Sequence, residues 1–297
     1  MSRTLTVGLD GTRVCLSAVQ WAAAEAVRRG VGLRLLHVWD LGPDVHTPLF
    51  VRGNGHDRTA WIPRRVAGQV RSAHPGLEVT ISHVCGDPVD VLRAAAAEDE
   101  LLVLGSRGLG PMAGYVLGSV SLAVAARAPR PVVLVRGAEE SKGPPGTPAL
   151  RAPGATVLVG VDLTGGNEAV LAFSFAHADR HGGSVQALHS WSPPPFHGAE
   201  STPAGHALSA EVAAAKEDAL AEVLEPWRRT FPRVPVTARC TLGRPAHDLV
   251  DASRGAGLVV VGRRERRSPV GVHLGAVTHA VLHHCLPPVA VVPHEEA

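Results

Sequence analysis

Short apolar runs alternate with longer amphipathic stretches along the first half of the chain. The runs have the length of buried parallel strands, and the stretches between them follow the period of helices. In the first such helix, Val14, Ala18 and Ala22 fall on one face. The pattern predicts five strands, at Thr4–Leu9, Gly32–Trp39, Leu77–Val84, Leu101–Leu104 and Val132–Val135. It predicts four helices between them, at Val14–Arg29, Arg58–Ser72, Pro88–Ala97 and Ser119–Ala128.

The second half repeats this pattern in register. An offset of 152 carries Gly8–Asp10 onto Gly160–Asp162. Further along, an offset of 157 carries several glycines and a proline of the first half onto glycines and a proline of the second: Gly86 onto Gly243, Gly105 onto Gly262, Gly118 onto Gly275 and Pro131 onto Pro288. Two constant offsets separated by one insertion indicate a duplicated domain.

The stretch between the copies, Gly137–Pro153, holds Gly, Pro and Ser without apolar periodicity, which is typical of a flexible linker. We therefore predict a first domain at residues 1–137, a linker at 138–153 and a second domain at 154–297. The alternation of strand and helix predicts the fold class α/β, with two tandem doubly wound domains. Each would be a five-stranded parallel sheet with helices on both faces.

In this architecture, ligands bind beyond the carboxyl ends of the strands, where the strand order reverses. Asp10 follows the first strand, and a glycine-rich loop follows Leu104. Both lie at such ends, so we expect them to face one crevice despite their separation along the chain.

Composition narrows the classes of partner. The chain has 297 residues and a net charge of +2, which by itself favours neither nucleic acid nor an anionic membrane. No apolar run approaches the roughly 18 residues of a membrane span. The N-terminus passes directly into a strand, so we expect no signal peptide. The widely spaced cysteines favour reduced thiols in a cytoplasmic protein: Cys15, Cys85, Cys240 and Cys285.

The loop after Leu104 carries the strongest chemical signal. Four glycines let backbone amides turn toward a ligand without a Cβ in the way: Gly105, Gly108, Gly110 and Gly114. Gly118 and Ser119 then open a short helix. A strand, a loop rich in free N–H groups and a helix N-terminus together predict an anion site, with phosphate as the expected anion.

The spacing Gly105-x2-Gly108-x9-Gly118-Ser119 matches the G-x2-G-x9-G-[S/T] signature of the ATP-binding universal stress protein family. The chain resembles that family over nearly the whole of both copies. The resemblance implies the family's fold, similar to the adenine nucleotide alpha hydrolases. It also implies ATP as the ligand, with or without Mg²⁺.

Asp10 is the candidate for holding the nucleoside, because a carboxylate accepts hydrogen bonds from sugar hydroxyls or an adenine amino group. Asp-Gly-Thr is equally good chemistry for a turn or a helix cap. By resemblance, Val38 is the position whose backbone contacts the adenine edge, and it is also a core valine. By resemblance too, Gly8, Leu104 and Val120 complete the nucleotide-contacting set.

Two hydroxyls and a guanidinium are candidates for the phosphate end. Ser119 and Ser121 could bond a phosphate or satisfy the N–H groups of their own helix. Arg107, between the first two glycines, is either a charge-assisted donor to phosphate or a solvated surface residue.

Rival motifs are absent or misplaced. A P-loop needs Gly-Lys-[Ser/Thr], and neither lysine of the chain follows a glycine. The dinucleotide pattern G-x-G-x-x-[G/A] occurs at Gly108–Ala113, too late in the domain for a fingerprint that belongs after the first strand. We find no nucleophile with an identifiable base, and we expect the protein not to be an enzyme.

The second copy departs from the signature. Glu265 stands where the second glycine should be, and Ala276 replaces the serine. A carboxylate in the loop would repel phosphate, although the arginines around it, at 263, 264, 266 and 267, could offset that repulsion or bind another anion. We expect a charge-paired loop with nucleotide affinity weakened or lost, and so one strong nucleotide site per chain.

Two pairs of histidines have helical i, i+4 spacing, His177 with His181 and His279 with His283. Two ligands do not make a structural metal site, so we predict no metal and expect these histidines to face solvent. Cys15 near the site is either a reactive thiol or a packing residue.

The terminal strands, Val132–Val135 and Val289–Val292, are predicted sheet edges. In the family, domains pair through this strand, which implies intramolecular pairing of the two domains or a homodimer. The leading hypothesis is a regulator of stress or dormancy whose first domain binds ATP. The alternatives are a slow ATP hydrolase using the same pocket and a nucleotide-free interaction scaffold. AMP and cyclic nucleotides stay open as ligands.

Overall fold

The computed structural model of the chain describes residues 4–39, 56–106, 118–137, 156–192, 203–265 and 274–295, without the side chains of residues 13–14, 56–62 and 203–209. The chain divides into two compact units, Met1–Leu150 and Arg151–Ala297. Residues 138–153, where a linker is predicted, lie outside the described part, so the exact domain boundaries stay a prediction.

In its described residues, the first unit is a five-stranded parallel sheet. Its strands are β1 (Thr4–Leu9), β2 (Gly32–Trp39), β3 (Val79–Cys85), β4 (Leu101–Ser106) and β5 (Val132–Arg136). Its helices are α1 (Arg13–Arg29), α2 (His56–Ala73), α3 (Pro88–Glu98) and α4 (Ser119–Arg127). The strand order is β3-β2-β1-β4-β5, and α1 contacts α2 while α3 contacts α4. The helices therefore form two pairs, one on each face of the sheet.

The central strands β1 and β4 form the buried core of this unit. They pair in parallel, with Leu5 opposite Leu101 and Val7 opposite Val103, and these four side chains are fully buried. Strand order reverses between β1 and β4, because β2 and β3 extend the sheet on one side and β5 on the other. The carboxyl ends of β1 and β4 consequently flank the crevice in which this fold binds ligands.

The second unit has the same order of elements. Its strands are β6 (Thr156–Gly160), β7 (Ser184–Trp191), β8 (Val236–Leu242), β9 (Leu258–Arg264) and β10 (Val289–His294). Its helices are α5 (Glu168–Arg180), α6 (Pro203–Thr230), α7 (Pro245–Ala252) and α8 (Ala276–His284). Within this unit the parallel strand order is β10-β9-β6-β7-β8, so the reversal falls between β6 and β9. The predicted fold class, two tandem doubly wound domains, is confirmed.

The structure shifts some element ends from their predicted positions. β4 runs two residues past Leu104, because Gly105 and Ser106 continue the ladder opposite Val135 and Arg136 of β5. α4 ends at Arg127, one residue before the predicted end, and the N–H of Ala128 still donates to Val124 O. Of the helices in the described part of the chain, none has both the length and the apolar character needed to cross a bilayer.

The histidine pairs lie on α5 and α8 as expected. The rings of His177 and His181 stack with centroids 3.9 Å apart, and those of His279 and His283 lie 4.4 Å apart. His177 is buried, with 5% of its surface exposed, so the expectation that these histidines face solvent is wrong for this residue. His279 is exposed.

Candidate functional site

One cavity of the first unit brings together the predicted site residues that the structure describes. This first pocket has a volume of about 260 Å³ and lies at the carboxyl ends of β1 and β4. It is lined by nine of the predicted residues: Gly8, Asp10, Val38, Leu104, Gly105, Gly118, Ser119, Val120 and Ser121. Arg107 and Gly108, also predicted, lie outside the described residues. Asp10 and the start of α4 therefore face one crevice, whereas residues 107–117 of the loop that was also expected to face it lie outside the described residues.

The N-terminus of α4 opens into this pocket. Gly118 is the N-cap residue with extended backbone, and among the described residues no side chain caps the first turn. The first N–H groups of a helix have no intrahelical acceptor, and the helix dipole places partial positive charge there. Ser119, exposed at the first helical position, and Val120 thus present polar backbone groups toward the cavity.

Ser121 has a structural role that the sequence left open. Its hydroxyl donates to the carbonyl oxygen of Gly105 at 3.0 Å, and the side chain is buried. Thr278 makes the same bond in the second unit, donating to Gly262 O at 2.9 Å. In both units this bond ties the first turn of the last helix to the end of the preceding strand. The hydroxyl proton of Ser121 is therefore already used in a hydrogen bond within the protein.

Asp10 both shapes a turn and lines the pocket. Its Oδ1 accepts from the backbone N–H of Thr12 at 2.9 Å and from the Thr12 hydroxyl at 2.6 Å. Gly11 between them has a φ of 76°, which favours glycine over any residue with a Cβ. The turn proposed from the sequence is thus present, Asp10 also lines the pocket, and its role in holding a nucleoside stays a prediction.

Cys15 lines the same pocket, and its thiol is protonated. Its Sγ donates to the carbonyl oxygen of Thr12 at 2.9 Å, and the residue is buried. Burial, together with the charge of Asp10, raises the pKa of the Cys15 thiol above its ordinary value. A raised pKa lowers the thiolate fraction, so the packing interpretation is favoured over a reactive cysteine.

Further lining residues come from contacts that the sequence did not reveal. Leu36 lies two residues before Val38 on β2 and therefore shares its face of the sheet. Pro88 and Leu92 approach from α3, where they are one helical turn apart. Strand and helix periodicity would have placed each residue on a face, but only the packing of α3 over β1 shows that this face closes the pocket.

His37 is a buried titratable group beside the site. It is 7% exposed, its ring meets that of His83 at 5.7 Å, and its Nδ1 has no hydrogen-bond partner among the described residues. Burial first, and the neighbouring His83 second, lower the pKa of His37, while Asp10 acts in the opposite direction.

We expect the first unit to lose stability as the pH falls. Because the folded pKa of His37 lies below its unfolded value of about 6.5, the unfolded chain binds the proton more readily. The stability that neutral His37 contributes is fully present above the pKa that this residue has in the unfolded chain. It is lost as the pH falls through its pKa in the folded protein. Urea unfolding between pH 8 and pH 5 measures it, and His37→Gln should show a flatter profile. If the dependence of stability on pH were the same in His37→Gln as in the unsubstituted protein, groups other than His37 would cause the loss of stability.

The second unit has a cavity at the equivalent position. This second pocket measures about 510 Å³ and is lined by counterparts of the first-unit residues, including Asp162, Gly262, Gly275 and Ala276. Asp162 forms the same turn as Asp10, with its Oδ1 accepting from the N–H and hydroxyl of Thr164. The repeated geometry shows that both units build a pocket at the point where their strand order reverses.

Comparisons with known proteins identify this architecture. The model of the universal stress protein family matches residues 1–136 and again residues 155–293. A universal stress protein of Mycobacterium tuberculosis is 32% identical over 298 residues, covering 97% of this chain and 96% of the relative. A universal stress protein from Mycolicibacterium smegmatis is 29% identical over 301 residues, and the alignment covers 97% of this chain and 96% of that protein.

Among solved structures, a universal stress protein from Archaeoglobus fulgidus superposes with a TM-score of 0.70. It covers 99% of both chains at 18% sequence identity, which shows a shared fold. With the family model matched twice and relatives aligned over nearly their full length, the chain belongs to the universal stress protein family and carries two copies of its domain.

Proposed function

We propose that the first pocket binds an adenine nucleotide, with ATP as the leading candidate, and that binding serves a regulatory role in a stress or dormancy response. The observation that carries this proposal is the shared lining of the first pocket. One cavity is lined both by Asp10 and by the N-terminus of α4, which no described side chain caps.

These two groups suit opposite ends of a nucleotide. The N–H groups at the start of α4 and the helix dipole favour phosphate oxygens. The Asp10 carboxylate accepts hydrogen bonds from ribose hydroxyls. Between them, Leu36, Val38 and Leu92 offer apolar surface against which an adenine ring can pack. Arg107 and Gly108 would add to the phosphate end by resemblance to the family.

The chemistry of the described lining favours binding over turnover. Among those residues, Asp10 and Cys15 are the ones with ionisable side chains, and burial raises the pKa of the thiol. The Asp10 carboxylate lies beside the Cys15 thiol, but its charge adds to burial in raising the pKa of the thiol and so disfavours the nucleophilic thiolate. Nucleotide binding would instead shift how a partner is engaged. A cytoplasmic location and pairing of the domains through Val132–Val135 and Val289–Val292 remain predictions from the sequence.

The test is an analysis of small molecules released from freshly purified, heat-denatured protein, followed by time-resolved detection of ADP after adding ATP and Mg²⁺. We expect an adenine nucleotide in the released fraction and no ADP production above that of Gly118→Val. Steady ADP release that Gly118→Val abolishes would favour the slow hydrolase. Absence of released nucleotide, with no ATP binding at millimolar concentration, would favour the scaffold.

A further inference from the structure

The last helix of the second unit, α8, carries a pair of histidines that the last helix of the first unit lacks. His279 and His283 lie one turn apart on α8. By the offset of 157, their counterparts on α4 are Leu122 and Ala126. Both helices have nine residues and follow a glycine N-cap, so the same element forms without imidazoles in the first unit. The fold therefore does not require this pair.

The two imidazole rings converge on one side of α8. Residues four apart on a helix have Cβ atoms about 5–6 Å apart. The ring centroids of His279 and His283 lie closer than that, at 4.4 Å, with their planes tilted by 36°. Two imidazole nitrogens about 2.0–2.1 Å from one ion, at a bond angle of about 90–110°, place their ring centroids about 4.5–5 Å apart. The pair thus nearly has the spacing of two ligands to one ion.

The pair lies away from the buried face of the helix. The buried residues of α8 are Thr278, Val281 and Leu282. His279 is exposed and His283 is partly exposed. Nε2 of His283 is buried in this arrangement, and rotation about χ2, a broad torsion for histidine, brings a ring nitrogen to the open side. An ion from solvent can therefore reach both rings.

The helix dipole accounts for only part of this arrangement. Histidines in the last turn of a helix interact favourably with its negative end, which suits His283 and His284. His279 lies one turn earlier, and the effect of the dipole falls off within the last turn. Core packing does not account for His279 either, because this residue is exposed. A shared ligand would account for both members of the pair.

The chemistry of the pair selects the kind of ion. Imidazole suits Zn²⁺, Cu²⁺ and Ni²⁺, whereas Mg²⁺ and Ca²⁺ prefer oxygen ligands. Among the residues that the structure describes, no third side chain completes a ligand set with this pair. Closed structural sites have four protein ligands, so two histidines do not make one. An open site instead fills its remaining positions with water.

We propose that His279 and His283 form an open site for a divalent transition-metal ion, with water in the remaining coordination positions. The site is separate from the proposed function, since neither histidine lines the first or the second pocket. Both imidazoles bind one ion only while this part of α8 is helical. Binding of the ion therefore stabilises the folded second unit.

The experiment is a calorimetric titration of the full chain with Ni²⁺ at pH 8, because protons and metal ions compete for imidazole nitrogens. Ni²⁺ is the probe because Cu²⁺ also oxidises thiols. The background is His181→Gln, which removes the pair of the same spacing on α5. We expect one tight equivalent of Ni²⁺, with affinity at least about tenfold weaker in His279→Gln or His283→Gln, because one imidazole alone loses the advantage of joint binding. The double variant should lose little more than either single variant.

The matched control is His284→Gln, which removes the neighbouring imidazole of the same helix. Because adjacent helical residues point about 100° apart, we expect this control to weaken Ni²⁺ binding by less than about threefold. Ni²⁺ should also raise the melting temperature of the background chain and leave that of His279→Gln unchanged.

Three results would overturn this inference. They are equal losses of affinity in His279→Gln and His284→Gln, binding that neither substitution of the pair weakens, and absence of binding at millimolar Ni²⁺. An ATP titration of the His279→Gln chain tests the proposed function separately, and we expect ATP binding there to be unchanged.

Discussion

Replacing Ser119 with glutamate is expected to weaken ATP binding by at least about a hundredfold while leaving the protein folded. A unit charge about 5 Å from a phosphate charge, at an effective dielectric constant of about 20, costs about 3 kcal/mol, which exceeds a hundredfold in affinity. The position suits the experiment because Ser119 is exposed, lines the first pocket and begins α4. The measurement is calorimetric titration with ATP and Mg²⁺.

The same substitution should slightly stabilise the unliganded protein. A carboxylate in the first turn of a helix interacts favourably with the dipole, by about 0.3–1 kcal/mol. Ser119→Gln is the neutral control and should lose far less affinity. If Glu and Gln weakened binding equally, the phosphate would not lie at this helix end; if Glu lowered the melting temperature, lost affinity could reflect unfolding instead.

Replacing Gly8 with alanine is expected to cost about 1–3 kcal/mol of unfolding free energy, the usual range for an overpacked core. The new Cβ would lie 2.6 Å from Cδ2 of Leu104 and 3.1 Å from Cδ2 of Leu92. Leu104 is 4% exposed and lines the first pocket, so its side chain can yield only by moving into the cavity. We therefore expect ATP affinity to fall together with stability, by about fourfold, since one displaced methyl group is worth about 0.8 kcal/mol.

A double-mutant cycle with Leu104→Val separates close packing from other effects. Removing a methylene opposite Gly8 should restore part of the lost stability in the double variant, giving a favourable coupling energy. The counterpart Gly160→Ala should cost less, because its Cβ would lie 3.1 Å from Cδ1 of Leu249. Urea unfolding and ATP titration measure the four variants. Additive losses in the cycle would contradict the packing explanation.

The fold follows from the sequence because buried parallel strands leave a strong signal. Runs such as Leu101–Leu104 are apolar on both faces, and the glycines at strand ends repeat at constant offsets. Strand ends were less certain, since Gly105 and Ser106 carry no strand signal and stay in β4 only through their pairing with β5. That pairing is a tertiary contact that composition does not encode.

The sequence predicted those site residues whose place depends only on the order of strands, loops and helices along the chain. Asp10 follows from the rule that ligands meet the carboxyl ends of strands at the reversal point, and Ser119 follows from the helix start after the glycine-rich loop. Leu92 required the packing of α3, and the bond from Ser121 to Gly105 O required the three-dimensional position of α4. The pairing of Glu265 with Arg263 had a usable signal, because residues two apart on an extended chain share a side, and Arg264 between them lines the second pocket instead.

The most direct test of the nucleotide site is an ATP titration of the full chain carrying Ala276→Glu. This substitution places a carboxylate in the second pocket and leaves the first pocket unaltered. Our account predicts one equivalent of ATP bound per chain, and loss of that binding when Ser119→Glu is added. A folded Ala276→Glu chain that binds no ATP at millimolar concentration, or whose ATP binding survives Ser119→Glu, would contradict it.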